Sequence, residues 1–364
     1  MTQTAEERVL EAVAKRRKLV NEAVDEEIPI ERPERLYEAS RYILEAGGKR
    51  LRPTVTLLAG ESLSDVEPSS REYRSFPTPA SGDAGRNPVA VPDAADAIDR
   101  VDLLRAAVAI EVVQSFTLIH DDIMDDDDLR RGVPAVHKQY DTSTAILAGD
   151  TLYSKAFELL TDTGAVPSNG LDTTRLLATT CTKICEGQAM DVAFESRDDI
   201  LPDEYLEMVE LKTAVLYGAA AATPAVLFGT DEEVSDALYQ YGIDSGRAFQ
   251  IQDDVLDLTV PSEKLGKQRG SDLVENKETL ITLHARQQGV AVDDLVETDD
   301  VEAVTDVEIE QAVETLEEAG SIDWARERAV ELTARSKDHL SVLPDNEARG
   351  LLEELADYLI NRGY

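Results

Sequence analysis

Two stretches of this 364-residue chain place aspartates at helical spacing: HDDIMDDDDLRRG over His120–Gly132 and FQIQDDVLDL over Phe249–Leu258. Each contains an Asp-Asp-x-x-Asp core, namely Asp121, Asp122 and Asp125 in the first and Asp253, Asp254 and Asp257 in the second. Residues four apart on a helix share a face and lie about 6 Å apart along its axis. Asp121 and Asp125 therefore present two carboxylates side by side, as do Asp253 and Asp257. Such crowding of like charge is unfavourable unless a cation sits between the groups. A donor set of carboxylates suits Mg²⁺, which keeps several waters and shares its remaining positions with phosphate oxygens. A calcium loop of the EF-hand type is a poor match, because the alternating ligands, central Gly and terminal Glu are missing.

Cations stand close by in sequence. Arg130 and Arg131 follow the first cluster, and Lys267 and Lys277 follow the second among Gly266, Gly270 and Asp272. A third basic group, GGKRLRP over Gly47–Pro53, puts Lys49, Arg50 and Arg52 at a helix break. Guanidinium forks match phosphate oxygens, and a helix N-terminus adds N–H donors. The pattern points to two diphosphates, one held through metal and one by cations directly. The competing reading is plain solvated acid, since Asp125–Asp128 alone resembles the rest of an acidic surface. The apolar stretches Ala106–Ile119 and Ala248–Ile251 argue against it, because they lead burial straight into both clusters.

The elements that must carry these residues are helices. Apolar residues recur at helical spacing over Glu6–Val24, Leu36–Ala46, Pro53–Leu63, Leu103–Asp126, Ser143–Thr161 and Asp172–Glu195. The same holds for Pro202–Leu216, Asp231–Leu258, Lys277–Gln287, Val304–Ala319, Trp324–His339 and Asn346–Asn361. The expected class is all-α, one large helical bundle over residues 1–364. Ser64 to Ala95 breaks the pattern with Pro68, Pro77, Pro79, Pro88 and Pro92 among Ser and Gly, and reads as a flexible insertion.

Composition narrows the function classes. Acidic residues number 74 against 36 basic ones, a net charge of -38, which argues against nucleic acid or anionic lipid as the main partner. Acid spread along the whole chain suits a surface built for high salt, where screening removes self-repulsion. Two cysteines, Cys181 and Cys185, give no disulfide framework and read as small apolar side chains. The N-terminal residues have no signal-peptide core, and the most apolar run, Tyr217–Gly229, is shorter than a membrane span and contains Pro224. The expectation is a cytoplasmic protein without membrane insertion.

From about Leu36 to the C-terminus, apart from the insertion, the chain resembles the trans-isoprenyl diphosphate synthase (polyprenyl synthetase) family. The resemblance rests on GGKRLRP, LIHDDIMDDDDLRRG, VPAVH at Val133–His137, AGD at Ala148–Asp150, GQAMD at Gly187–Asp191, Lys212–Thr213, FQIQDDVLD and the Gly–Lys, Gly–Ser–Asp and Asn–Lys series. It implies the all-α isoprenoid synthase fold, a homodimer, and a deep apolar pocket beneath the two clusters. It implies three Mg²⁺, held by Asp121 and Asp125, by Asp253, and with support from Asp257. Arg130, Lys212, Lys267 and Lys277 would hold an allylic diphosphate, with Thr213 and Gln250 facing the reacting carbons. Lys49, Arg52, Gln114 and Arg131 would hold isopentenyl diphosphate. Three positions depart from the family's habit: Gln114 where His is common, Asn276 where Gly is frequent, and Ile281 where Pro is common. Asn tolerates left-handed backbone, so the turn at 276 is expected to survive.

The implied reaction ionises an allylic diphosphate, adds isopentenyl diphosphate and eliminates a proton. Charge stabilisation and exclusion of water carry it, without a protein base. Phe116 lies five residues before Asp121, roughly 7.5 Å toward the helix start. An aromatic there goes, in this family, with a geranylgeranyl (C20) product and would form the pocket floor. The alternatives are a longer-chain synthase (C25 or above), a terpene cyclase, or a non-catalytic subunit of a heteromeric synthase.

Overall fold

The computed structural model describes residues 3–64, 72–79, 100–194, 196–197, 199–262, 268–296, 298 and 303–361. Fifteen helices among these residues carry the fold. They are α1 (Ala5–Glu27), α2 (Glu34–Glu45), α3 (Leu51–Leu63), α4 (Leu103–Met124), α5 (Val136–Gln139), α6 (Thr142–Thr161), α7 (Pro167–Phe194) and α8 (Pro202–Val209). After a π-helical turn at Glu210–Ala214 come α9 (Val215–Phe228), α10 (Glu232–Thr259), α11 (Ser271–Val274), α12 (Leu280–Gln287), α13 (Asp306–Glu318), α14 (Ser321–His339) and α15 (Glu347–Asn361). The described strands are two-residue pairs: β1 (Phe76–Pro77) with β2 (Arg100–Val101), and β3 (Leu129–Arg130) with β4 (Val133–Pro134). The all-α expectation holds, and most helix ends lie within a few residues of those read from periodicity; the helix expected over Pro202–Leu216 instead runs on without a break to Phe228.

The chain clusters into two compact units. The first comprises Met1–Cys181, Leu216–Tyr239 and Leu340–Glu354. Its helix α1 starts on a capping box, Thr4 and Glu7 each bonding the other's backbone N–H. Val9, Ala12, Arg16, Val20 and Ala23 then form its buried stripe. Arg16 is buried because Glu61 of α3 meets it, with Nη2 donating at 2.6 and 2.8 Å to the two carboxylate oxygens. Fully enclosed charges persist only when paired in this way. The Tyr73 hydroxyl also donates to Glu61, and Phe76 stacks on Phe228 with ring centroids 6.1 Å apart. Residues 72–79 of the expected flexible insertion are thus packed into the core by two buried aromatics. Its remaining residues, 65–71 and 80–95, lie outside the described residues.

Helix α4 has an apolar surface nearly all round, from Leu103 to Ile119, and is buried accordingly. It and the continuous stretch Pro202–Phe228 are each long and apolar enough to cross a membrane, so length alone excludes nothing here. Burial explains their composition instead: 72% and 78% of those windows lie inside the protein.

The second unit comprises Thr182–Val215, Gln240–His339 and Leu355–Tyr364. Its core gathers Tyr205 and Met208 of α8, Ile251 and Val255 of α10, Leu280 and Ile281 of α12, Ile309 of α13 and Ile322 of α14. Ile281, which stands where Pro is common, is a fully buried core residue of α12.

Candidate active site

In the first unit α4 delivers the first cluster. Asp121 is half-buried, Asp125 is the exposed C-cap, and Asp122 between them is fully buried. Asp122 Oδ1 accepts from Arg130 Nε at 2.6 Å, and Arg130 Nη2 donates to Asp127 at 2.8 Å. Burial works against the Arg130 charge, but Asp122, Asp127 and Asp121 together hold its pKa above the ordinary guanidinium value. Arg130 is thereby held rigid before any ligand arrives.

The turn after it explains Arg131. Arg131 and Gly132 link β3 to β4 with φ of 55° and 79°, the left-handed pair that a two-residue hairpin of type I′ requires. Arg131 is a costly residue for that backbone region. Its side chain anchors the turn through Nη1, which donates to the carbonyls of Ile43, at 3.0 Å, and Gly47. A Cβ at Gly48 would stand 3.0 Å from the Arg131 guanidinium carbon, so glycine makes room for it. GGKRLRP and RRG thus meet in space.

Around this junction Arg50 is 3% exposed and spends its donors on Asn21, Glu111 and the Leu44 carbonyl. Arg50 belongs to the scaffold, whereas Lys49 beside it is exposed. The Arg52 guanidinium lies over the Tyr217 ring at 4.2 Å, and its buried Nε has no hydrogen-bond partner among the described residues. Gln114 is half-buried on α4. Glu111, 3% exposed and 3.9 Å from Arg131, is the carboxylate at the centre of the cations. Burial lowers the Arg131 pKa; Glu111 opposes this, while Arg50, Arg130 and Arg52 push it down further. Arg131 thus feels three neighbouring guanidinium groups, a positive charge that an anion would relieve.

In the second unit Lys212 and Thr213 sit on the π-helical turn Glu210–Ala214. Single π turns of this kind commonly mark functional positions. Gly187 of α7 allows that turn to come close, since a Cβ there would lie 2.2 Å from the Lys212 backbone nitrogen. Lys212 Nζ donates to Asp191 at 2.5 Å, so both ends of the GQAMD motif serve Lys212. Thr213 Oγ1 donates to Gln250 Oε1 at 3.4 Å.

Helix α10 delivers the second cluster. Asp253 is half-buried and Asp254 is buried, accepting from the Tyr205 hydroxyl and from Gln250 Nε2 at 3.1 Å. Burial, with Asp272 close by, pushes the Asp254 carboxyl up to about 7, although Tyr205 and Gln250 pull it back. Asp257, 2% exposed, accepts from Ser271 Oγ at 3.0 Å and the Asp272 backbone N–H at 3.3 Å, tying α11 to α10. Asn276 adopts the left-handed backbone, φ 53°, that its side chain tolerates. Lys277, next to it, is exposed and paired with Glu275 at 2.8 Å. Lys267 lies outside the described residues.

Phe116 is buried, with its ring edge-on to His120 and to Tyr153 of α6, centroids 5.7 and 5.2 Å apart. Five residues turn a helix by about 140° from the starting face. Phe116 accordingly reaches α6, and Thr117 occupies the Asp121 face one turn earlier. The sequence reading had no role for Glu111, Asp191 or Tyr205. Glu111 left a signal, being the single charge inside the apolar run Ala106–Ile119. Asp191 is legible only as the last residue of GQAMD, and Tyr205 carries no signal.

A family model described as polyprenyl synthetase matches residues 33–316. The chain is 62% identical over 361 residues to a geranylfarnesyl diphosphate synthase of Natronomonas pharaonis, covering 99% of this chain and 100% of that one. It is 46% identical over 356 residues to a geranylgeranyl diphosphate synthase of Methanosarcina mazei, covering 98% of each. Among solved structures, the geranylgeranyl pyrophosphate synthetase of Geoglobus acetivorans matches with a TM-score of 0.80 and 43% identity, over 96% of this chain and 99% of that chain.

Proposed function

The chain belongs to the polyprenyl synthetase family and is a trans-prenyl diphosphate synthase of all-α isoprenoid synthase fold, and we propose that it condenses isopentenyl diphosphate with dimethylallyl, geranyl and farnesyl diphosphates to all-trans geranylgeranyl diphosphate. The observation that carries this reading is the meeting of GGKRLRP with the Arg130–Arg131 hairpin, through Arg131 on the Ile43 and Gly47 carbonyls, beside the Asp121–Asp125 carboxylates. An anion site and a cation site at adjoining positions of one unit suit a diphosphate with its metal.

The carboxylate donors fit Mg²⁺. No three His, Cys, Asp or Glu side chains among the described residues are arranged as a cage of their own. Asp121 and Asp125 would hold two ions and Asp253 a third, with Asp257 bracing α10 from its buried position. Bound there, Mg²⁺ supplies positive charge where the leaving group becomes negative.

The chain's own residues do the rest. Arg130, preset by Asp122, suits the allylic diphosphate, and we assign Lys212, Lys267 and Lys277 to the same ligand from their motifs alone. Lys49, Arg52, Gln114 and Arg131 grip isopentenyl diphosphate; Gln114 donates a hydrogen bond without adding charge. As the allylic C–O bond breaks, its electron pair stays on the diphosphate oxygen. The isopentenyl double bond then joins the freed carbon, and a proton leaves to the departed diphosphate. Thr213 and Gln250 line the reacting carbons.

A second reading, extension to a C25 product, is favoured by the name of the 62% identical relative and by the turn of Phe116 toward α6. Helix α6 exposes Ile146, Leu147 and Tyr153, an apolar face that suits a second copy of the chain in a homodimer. The charge of -38 suits a cytoplasm of high salt. Purified protein with Mg²⁺, labelled isopentenyl diphosphate and each allylic starter in molar KCl tests the proposal. A C20 product supports the first reading and C25 the second, while no turnover with any starter would overturn both.

A further inference from the structure

The second aspartate of the α10 cluster sits in a chain of hydrogen bonds that ends at a candidate site residue. Tyr205, 3% exposed on α8, donates its hydroxyl to Asp254 Oδ2. Asp254, 4% exposed, accepts on Oδ1 from Gln250 Nε2 at 3.1 Å. The Gln250 carbonyl oxygen accepts from Thr213 Oγ1 at 3.4 Å. All four residues belong to the second unit.

An amide side chain can present either its oxygen or its nitrogen, and the two ends carry opposite partial charge. When ionised, Asp254 accepts and cannot donate, so it then admits only the NH₂ end of Gln250. The carbonyl oxygen must then point to Thr213. Rotating the amide by a half-turn would set two oxygens against each other in a buried place, where an unsatisfied polar contact is costly. Asp254 would swing about its own side-chain torsion were it not held from the other side by Tyr205.

We propose that Tyr205 is a positioning residue for prenyl transfer: through Asp254 it fixes the sign of the Gln250 dipole, keeping the carbonyl oxygen toward the carbon that becomes cationic. This rests on the functional reading above. An oxygen aimed at that carbon favours the ionised state over the bound substrate, so the effect belongs in kcat. The diphosphate grips are untouched, so KM should stay put.

The test is a double-mutant cycle of Tyr205→Phe and Gln250→Leu, with steady-state kinetics at saturating Mg²⁺ and pH 8, and thermal melts of every variant. Tyr205→Phe is expected to lower kcat roughly 10-fold with KM for both substrates within about twofold. In the Gln250→Leu background the same change should alter kcat by less than about twofold, because the group Tyr205 acts through is already gone. Full additivity of the two losses would overturn the proposal, as would a Tyr205→Phe effect confined to KM or stability. Asp254→Asn is the second variant, in case Tyr205→Phe does not fold. Its amide can offer Gln250 a donor, so it should lower kcat at least as much, and kcat within twofold of wild type would count against the relay. A wild type that turns over no allylic starter would fault the functional reading itself, whereas an active wild type with additive variants faults only the role of Tyr205.

Discussion

The two aspartate clusters share a spelling and differ in construction. In α4 the middle carboxylate, Asp122, is buried against a cation, Arg130, and its Oδ2 has no hydrogen-bond partner among the described residues. In α10 the middle carboxylate, Asp254, is buried against neutral donors, Tyr205 and Gln250, with both oxygens engaged. The last aspartates differ as well. Asp125 caps α4 in the open, whereas Asp257 is enclosed and fastens α11. The middle aspartate of each cluster is a buried brace, but the first braces a charge and the second braces a dipole. An acidic motif therefore reports where carboxylates are, and only packing reports what each is for.

Four experiments press on that difference. The largest effect is expected from Asp121→Ala, which removes a carboxylate that nothing else on α4 replaces. It should cut kcat/KM by roughly 10³-fold with circular dichroism unchanged; a loss below tenfold would mean the first cluster is not the metal side. Asp125→Asn and Asp257→Asn should then part company. Asp125→Asn is expected to lower activity about 10²-fold without changing the melting temperature. Asp257→Asn should instead lose about 1 to 2 kcal/mol of stability by disturbing the α11 anchor. Equal profiles for the two would erase the contrast between open and enclosed.

The braces come next. Asp122→Asn leaves Arg130 facing an uncharged partner and should cost about 2 kcal/mol in urea unfolding, a buried-pair figure discounted because Arg130 is partly exposed. Asp254→Asn should cost about 1 kcal/mol, as for one neutral hydrogen bond. Reversal of that order would mean that charge is not what Asp122 supplies. The smallest expected change is in the product of Phe116→Ala. Removing a ring packed between His120 and Tyr153 opens space beside α4, and chromatography should show chains about one five-carbon unit longer. An unaltered product distribution would dismiss the ring as a length stop.

Much of this was legible in the sequence because helices advertise themselves by period. The stripe of Val9, Ala12, Arg16 and Val20 and the apolar length of α4 follow directly from residue spacing. The Asp and Arg groups were legible for a different reason, since their chemistry does not depend on which way they point. Orientation was the part that could not be read. Nothing in the letters Asp-Asp-x-x-Asp says that Asp122 and Asp254 turn inward, because on an acidic helix either face could have been the wet one. Arg50 stands between two expected ligands, Lys49 and Arg52, and only Asn21 and Glu111, distant in sequence, show that it turns inward. The π turn at Lys212 was hidden because it adds one residue to a helical run without breaking its composition. Tyr73 and Phe76 were lost among prolines and serines, although their apolar rings fix that segment in the core.

The described residues other than glycine with positive φ are Arg50, Asp126, Arg131 and Asn276, and each belongs to one of the sequence motifs singled out for function. Glycine would relax the backbone at all four, yet at 50 it would delete the guanidinium that meets buried Glu111, and at 131 the one that ties the hairpin to the Ile43 and Gly47 carbonyls. The protein thus tolerates strained backbone where buried contacts offset it, and a glycine placed there would ease the bend while leaving Glu111 enclosed without its cation and the hairpin without its anchor.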